Sequence, residues 1–151
     1  MASTSASTST STATEGCTGW TPPSVGSPVW LSIPAIDVVR ARNFYSGAFK
    51  WTFKPATDKY PETEIAMFNF SDPSFAKMSG GLEKTDPADH KAGKGGSAIY
   101  FQVDDVDESL KLIKELGGST VMERQPEGEF GWIARFSDTE GNVHGVFACK
   151  K

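Results

Sequence analysis

From Pro28 onward, apolar and polar positions alternate in two distinct periods along the chain. Val29 to Ile33 is a short β-favouring run that stops at Pro34. Asp37 then stands at a helix N-cap position ahead of Val38, Ala41, Phe44, Tyr45 and Ala48, which fall on one face at helical spacing. Trp51 to Phe53, Glu64 to Phe70 and Phe75 to Leu82 read as three strands, with a loop holding Asp58 and Pro61 and a turn at residues 71–74 between them. The order predicted for this half is βαβββ.

The second half repeats that order. Ala98 to Val103 reads as a strand, and Asp105 caps a helix with Glu108 in the capping-box position. Val106, Ser109, Leu110, Ile113 and Leu116 line its inner face until Gly117-Gly118 ends it. Thr120 to Glu123, Trp132 to Phe136 and Val143 to Cys149 supply three more strands, with turns at Pro126 to Glu129 and at Asp138 to Gly141. Overlaid, Asp37 falls on Asp105, Val38 on Val106 and Phe44 on Leu112, and Phe70-Ser71-Asp72 falls on Phe136-Ser137-Asp138 after a two-residue deletion. A repeat of this length is a statement about architecture. Neither half holds a sheet large enough to be stable alone, so the two modules, 28–83 and 97–151, are expected to combine across a Gly- and Lys-rich linker at 84–96.

Composition narrows the partners. The chain has 151 residues and a net charge of -4, and its basic runs, such as Lys91 to Lys94, are short and diluted by glycine, so nucleic acid and anionic membranes are poor partners. No apolar stretch approaches a membrane span. Residues 1–27 are about half Ser and Thr and lack both the apolar run of a secretory signal and any Arg, which reads as a disordered tail, with Trp20 to Pro23 able to dock on the domain. A cytoplasmic home follows by default. Cys17 and Cys149 lie in segments of different character and cannot form a zinc site alone.

Three segments carry a family resemblance: IPAIDVVRARNFYSGAFKW, YFQVDDVDESLKLIKELGG and FSDTEGNVHGVFA. In this order, on a doubled βαβββ frame, the chain from Val29 to Ala148 resembles the vicinal oxygen chelate superfamily, which includes glyoxalases, bleomycin-resistance proteins and extradiol dioxygenases. The resemblance implies an α+β fold in which two βαβββ modules form a cupped mixed sheet, holding a divalent metal or a small molecule, and it implies a homodimer. Its metal-dependent members ligate the cation with His, Glu or Gln on facing strands. The corresponding positions here are Trp30, Ala98, Gly145 and the stretch Ser79 to Gly81, none of which supplies a strong ligand. The resemblance therefore points to a protein without metal or other cofactor.

Strand parity then selects the cup lining: Trp30, Ser32, Ala98, Tyr100, Gln102, Val143, Gly145, Phe147 and Cys149. Aromatic area, a few polar groups and two small residues suit an aromatic or hydrophobic ligand, although the same aromatics also suit ordinary core packing. Trp132 and Arg135 both enter the candidate binding set, but alternation lets only one face the cup; Arg135 there would be a carboxylate or phenolate partner. Tyr100, Gln102 and Glu64 are the candidate proton-handling groups. His144, one residue from the Gly145 position, is expected to point away from the cup, and His90 sits in the linker. Two functions remain open: a binder of an aromatic molecule, or a cofactor-free enzyme for isomerisation, cyclisation or elimination. A metal-dependent lyase or dioxygenase survives only with displaced ligands.

Overall fold

The computed structural model describes residue 25 and residues 29–70, 72–93, 98–129 and 131–149. The expected Ser/Thr-rich tail, the docking of Trp20 to Pro23, and Cys17 lie outside the described residues. Strand β1 (Trp30–Ala35) leads into helix α1 (Val38–Phe49), followed by β2 (Ile65–Asn69) and β3 (Ser79–Lys84). The second module contains β4 (Tyr100–Gln102), α2 (Val106–Glu115), β5 (Ser119–Glu127), β6 (Gly131–Ser137) and β7 (Val143–Cys149).

The strands form two sheets, ordered β1-β3-β2 and β4-β7-β6-β5. In each, the first strand runs parallel to the last, β1 with β3 and β4 with β7, while the remaining neighbours are antiparallel. This is the α+β repeat expected from the sequence. Both helices start as predicted: the Asp37 carboxylate accepts from Arg40 N–H at 2.9 Å and that of Asp105 from Glu108 N–H at 3.0 Å, each satisfying a free donor of the first turn. Gly117, at φ 93°, closes α2, and Gly118 N–H reaches Ile113 O at 2.9 Å.

Four boundaries differ from expectation. Trp51 to Phe53 contributes only a bridge between Phe53 and Phe68, because Trp51 turns inward to stack on Tyr45 and Phe68, and Pro55 removes a ladder donor just beyond. The strand expected from Phe75 begins at Ser79, since Asp72 caps a 3-10 turn over Pro73–Phe75. β4 is shorter than Ala98 to Val103, although Ile99 O and Val103 N–H still bond to β7. β5 runs through Pro126, which sits on an edge strand where a missing N–H costs little.

An aromatic core joins the modules. Phe44 and Tyr45 of α1 meet Phe136 and Phe101 of the second sheet, and Phe49 lies 4.3 Å from Phe101 between ring centroids. His144 is only 5% exposed, edge-on to Tyr45 and Phe101 and tilted against Phe136 at 5.8–6.4 Å, and both its ring nitrogens lack a partner among the described residues. It faces the helices, as parity predicted. Burial lowers its pKa, with Arg135 adding to the effect and Asp138 opposing it. The unfolded chain therefore takes up a proton first as pH falls, so the stability tied to a neutral His144 is complete above about pH 6.5 and lost on acidification below it. Urea unfolding of His144→Phe is expected to show a flatter stability profile than wild type between about pH 6.5 and 5.

Candidate functional site

The turn between β6 and β7 fastens one module to the other. Asp138, 4% exposed, accepts hydrogen bonds from Tyr45 Oη at 2.9 Å, Asn142 Nδ2 at 2.9 Å, and the N–H groups of Glu140 and Asn142. Glu140 accepts from the N–H groups of Ile36 and Asp37 and from Arg40 Nε at 2.7 Å, while Asn142 Nδ2 donates to Pro34 O. His90 Nε2 lies 2.6 Å from Glu140 O, which ties the linker to the same turn. Burial on its own would raise the Glu140 pKa, but the Arg40 hydrogen bond and the Asp37 and Ile36 N–H groups hold it below the ordinary carboxylate value. This cluster is architectural, and it fixes how the two open sheet faces are set.

Register defines those faces. In the first sheet, buried Ile33, Ala35, Ala66, Phe68 and Leu82 pack towards the helices, leaving Trp30, Ser32, Gly81, Glu83 and Met67 on the opposite face. In the second, Phe101, Ala134, Phe136, Val146 and Ala148 face inward, and the open face carries two cross-strand rows. One row runs Tyr100, Gly145, Arg135, Met122; the next runs Gln102, Phe147, Ile133, Gln125.

Three glycines on these faces lie under aromatic rings. A β-carbon on Gly81 would stand 3.1 Å from Trp30 Cζ2, one on Gly145 would overlap the Tyr100 ring, and one on Gly131 would stand 2.9 Å from Phe147 Cε2. Each ring rests against a position that offers no side chain of its own, and Trp30 and Tyr100 stay 44% and 47% exposed. The Trp30 indole is anchored by donating to Glu83 Oε1 at 3.0 Å. Sequence parity placed Gly145 on the cup face but did not show a ring seated on it.

The sequence-predicted lining falls on the open faces of the two sheets: Trp30 and Ser32 share one, and Tyr100, Gln102, Gly145, Phe147 and Arg135 share the other, with Ala98 half-buried just before β4. Two residues are corrected. Trp132 packs against the helix-side core, with the Arg124 guanidinium 4.7 Å from its ring, because it alternates with Arg135. Glu64 shares the parity of Ala66 and Phe68, not that of the cup, and forms an exposed ion pair with Lys84 at 2.7 Å. Gln102 donates to its neighbour Val103 O at 2.9 Å. Among the described residues no group of three or more His, Cys, Asp or Glu could hold a metal, and no helix is long and apolar enough to cross a membrane.

A separate groove of about 940 Å³ opens beside the cup, lined by Phe49, Trp51, Phe70, Phe75, Met78 and Leu112. Of the predicted lining only Tyr100 and Gln102 border it, so β4 is where groove and cup meet. Trp51, turned inward, is part of its lining, where a Trp51 to Phe53 strand was expected.

The doubled fold agrees with comparison to known proteins. The profile of the Glyoxalase/Bleomycin resistance protein/Dioxygenase superfamily matches residues 27–144, and the chain belongs to that superfamily. It is 30% identical over 123 residues to a glyoxylase-like domain-containing protein of Didymella fabae, covering 77% of this chain and 88% of that one. Among solved structures, the fosfomycin resistance protein FosX of Listeria monocytogenes matches with a TM-score of 0.63 at 17% identity, covering 84% of this chain and 94% of that one. The antibiotic-binding protein TnmS3 of Streptomyces sp. CB03234 matches at 0.59 and 22% identity, covering 85% and 99%. At these identities the structural matches establish the fold.

Proposed function

We propose that this protein binds a small aromatic or hydrophobic organic molecule in its cup without a metal ion. The carrying observation is the placement of Trp30 over Gly81 and Tyr100 over Gly145. At the positions where the superfamily's metal-dependent members hold a cation, this chain presents non-ligating side chains, and the Tyr100 ring fills the space that a ligating side chain at 145 would need. A catalytic metal does not fit that arrangement. Two exposed aromatic faces, Trp30 beside Ser32 on one sheet and Tyr100 near Gln102 on the other, supply stacking area and orientation.

Binding is favoured over turnover because the cup lacks an acid–base pair. Tyr100 makes no hydrogen bond to a titratable side chain among the described residues, the Gln102 amide is engaged with Val103 O, and Glu64 lies outside. The exposed edges of β1 and β4 support a homodimer in solution, since an unpaired strand edge beside exposed Trp30 and Tyr100 invites cover. Light scattering is expected to give twice the 16.3 kDa chain mass.

Calorimetric titration of tag-free protein with nickel, zinc, manganese and ferrous iron tests the metal-free reading. No stoichiometric heat is expected. One metal per cup at micromolar affinity or tighter would overturn it.

A further inference from the structure

The chain has four arginines, and three have a carboxylate partner: Arg40 with Glu140 at 2.7 Å, Arg42 with Glu62 at 3.1 Å, and Arg124 with Asp107 at 2.9 Å. Arg135 has none among the described residues. Its Nε is fully covered yet makes no hydrogen bond. Being covered, Nε is out of a ligand's reach, which leaves the terminal amino groups of this planar guanidinium as the donors that an oxyanion can meet.

Its place in the sheet says what those amino groups can meet. Arg135 faces Gly145 across one strand pair, and Gly145 faces Tyr100 across the next. The glycine between them contributes no side chain, and the Tyr100 ring leans over it. The ring's lean over Gly145 leaves one strand spacing, about 5 Å, between it and the strand of Arg135, comparable to the reach from the ring system of an aryl acid to its carboxylate. Met122 and Ile133 add apolar surface beside the cation and no competing carboxylate.

We infer that the cup's ligand is an aromatic anion, its ring system on Tyr100 and its carboxylate or phenolate oxygen on Arg135. This rests on the metal-free binding reading above and specifies its ligand class. The preference runs against the overall charge of -4, so it is set locally by Arg135 and not by the field of the whole molecule.

The test compares naphthalene-2-carboxylate with its neutral isostere naphthalene-2-carboxamide by calorimetry, on wild type and on Arg135→Met, which keeps an apolar stem of similar reach. The carboxylate is expected to bind about ten- to hundredfold more tightly than the amide to wild type, the range of a charge-assisted hydrogen bond, and the ratio is expected to fall to about one in Arg135→Met. Arg135→Lys, which keeps the charge but not the fork, is expected to give an intermediate ratio. Equal binding of the two probes to wild type would overturn the inference while leaving the aromatic cup standing, as would a carboxylate preference that survives in Arg135→Met. Failure of both probes to bind would overturn the inference and the cup reading together. The wild-type ratio decides even if a variant does not fold.

Discussion

Asp138→Ala is expected to destabilise the protein by about 3–5 kcal/mol, the cost of removing one partner from a buried charged network. Four donors lose their acceptor at once: Tyr45 Oη, the N–H groups of Glu140 and Asn142, and Asn142 Nδ2. Burial raises the Tyr45 pKa well above its ordinary value, and Asp138 adds to the rise, so the phenol is a committed donor. Asp138→Asn should recover little, because its amide nitrogen would confront donors on whichever oxygen it replaces. Calorimetric melting should fall by about 10 °C or more for the alanine variant. The repeat supplies its own control. Asp72 occupies the corresponding position in the first module but is exposed and caps only Ser74, so Asp72→Ala should cost about 1 kcal/mol or less. Equal losses at 72 and 138 would contradict the view that the second turn alone fastens the modules.

The second large effect is expected at the cup. Gly145→Val places a branched side chain where the Tyr100 ring lies, and the ring must leave its seat. Affinity for an aromatic probe should fall about hundredfold or more, since the stacking surface and the gap beside Arg135 are both lost. The accompanying stability loss should be about 1–3 kcal/mol, as for other overpacked sites. Tyr100→Ala separates the two causes, as it removes the ring without overpacking the sheet. Its melting temperature should stay close to wild type, because Tyr100 is half-exposed, while probe binding weakens about tenfold.

The sequence made the doubled frame legible because local physics determines it. Asp37 and Asp105 are caps in any context, Gly117 ends a helix wherever it follows one, and the alternation around Phe101 and Val146 permits one inward face. Parity likewise sent His144 to the helix side and set Arg135 against Trp132. What local pattern could not reveal was competition for the core. Trp51 has a strand-like neighbourhood, but its stacking on Tyr45 and Phe68 depends on residues on two other elements, and that inward turn ended the strand. Glu64 looked available at a strand start until Lys84, twenty residues on, took it into an ion pair at the surface. The role of Asp138 and Glu140 was hidden too: a turn rich in Asp, Glu, Gly and Asn reads as solvated, and only the docking of α1 buries it.

The pattern of glycines under aromatic rings lies between these cases. Gly81, Gly131 and Gly145 are visible as small residues in strands, where they weaken packing unless something covers them. Their partners come from neighbouring strands, so the pairing needs the register: Ser32 with Gly81 beside Trp30, and Tyr100 with Gly145.

The most direct measurement is the binding of naphthalene-2-carboxamide to tag-free protein in excess EDTA, followed by quenching of intrinsic tryptophan fluorescence with Trp30→Phe as reference. Saturable quenching in EDTA, unchanged when manganese or nickel replaces the chelator and lost in Gly145→Val, is the result predicted for an aromatic cup without a metal. Binding that is absent in EDTA and restored by a divalent cation would contradict it.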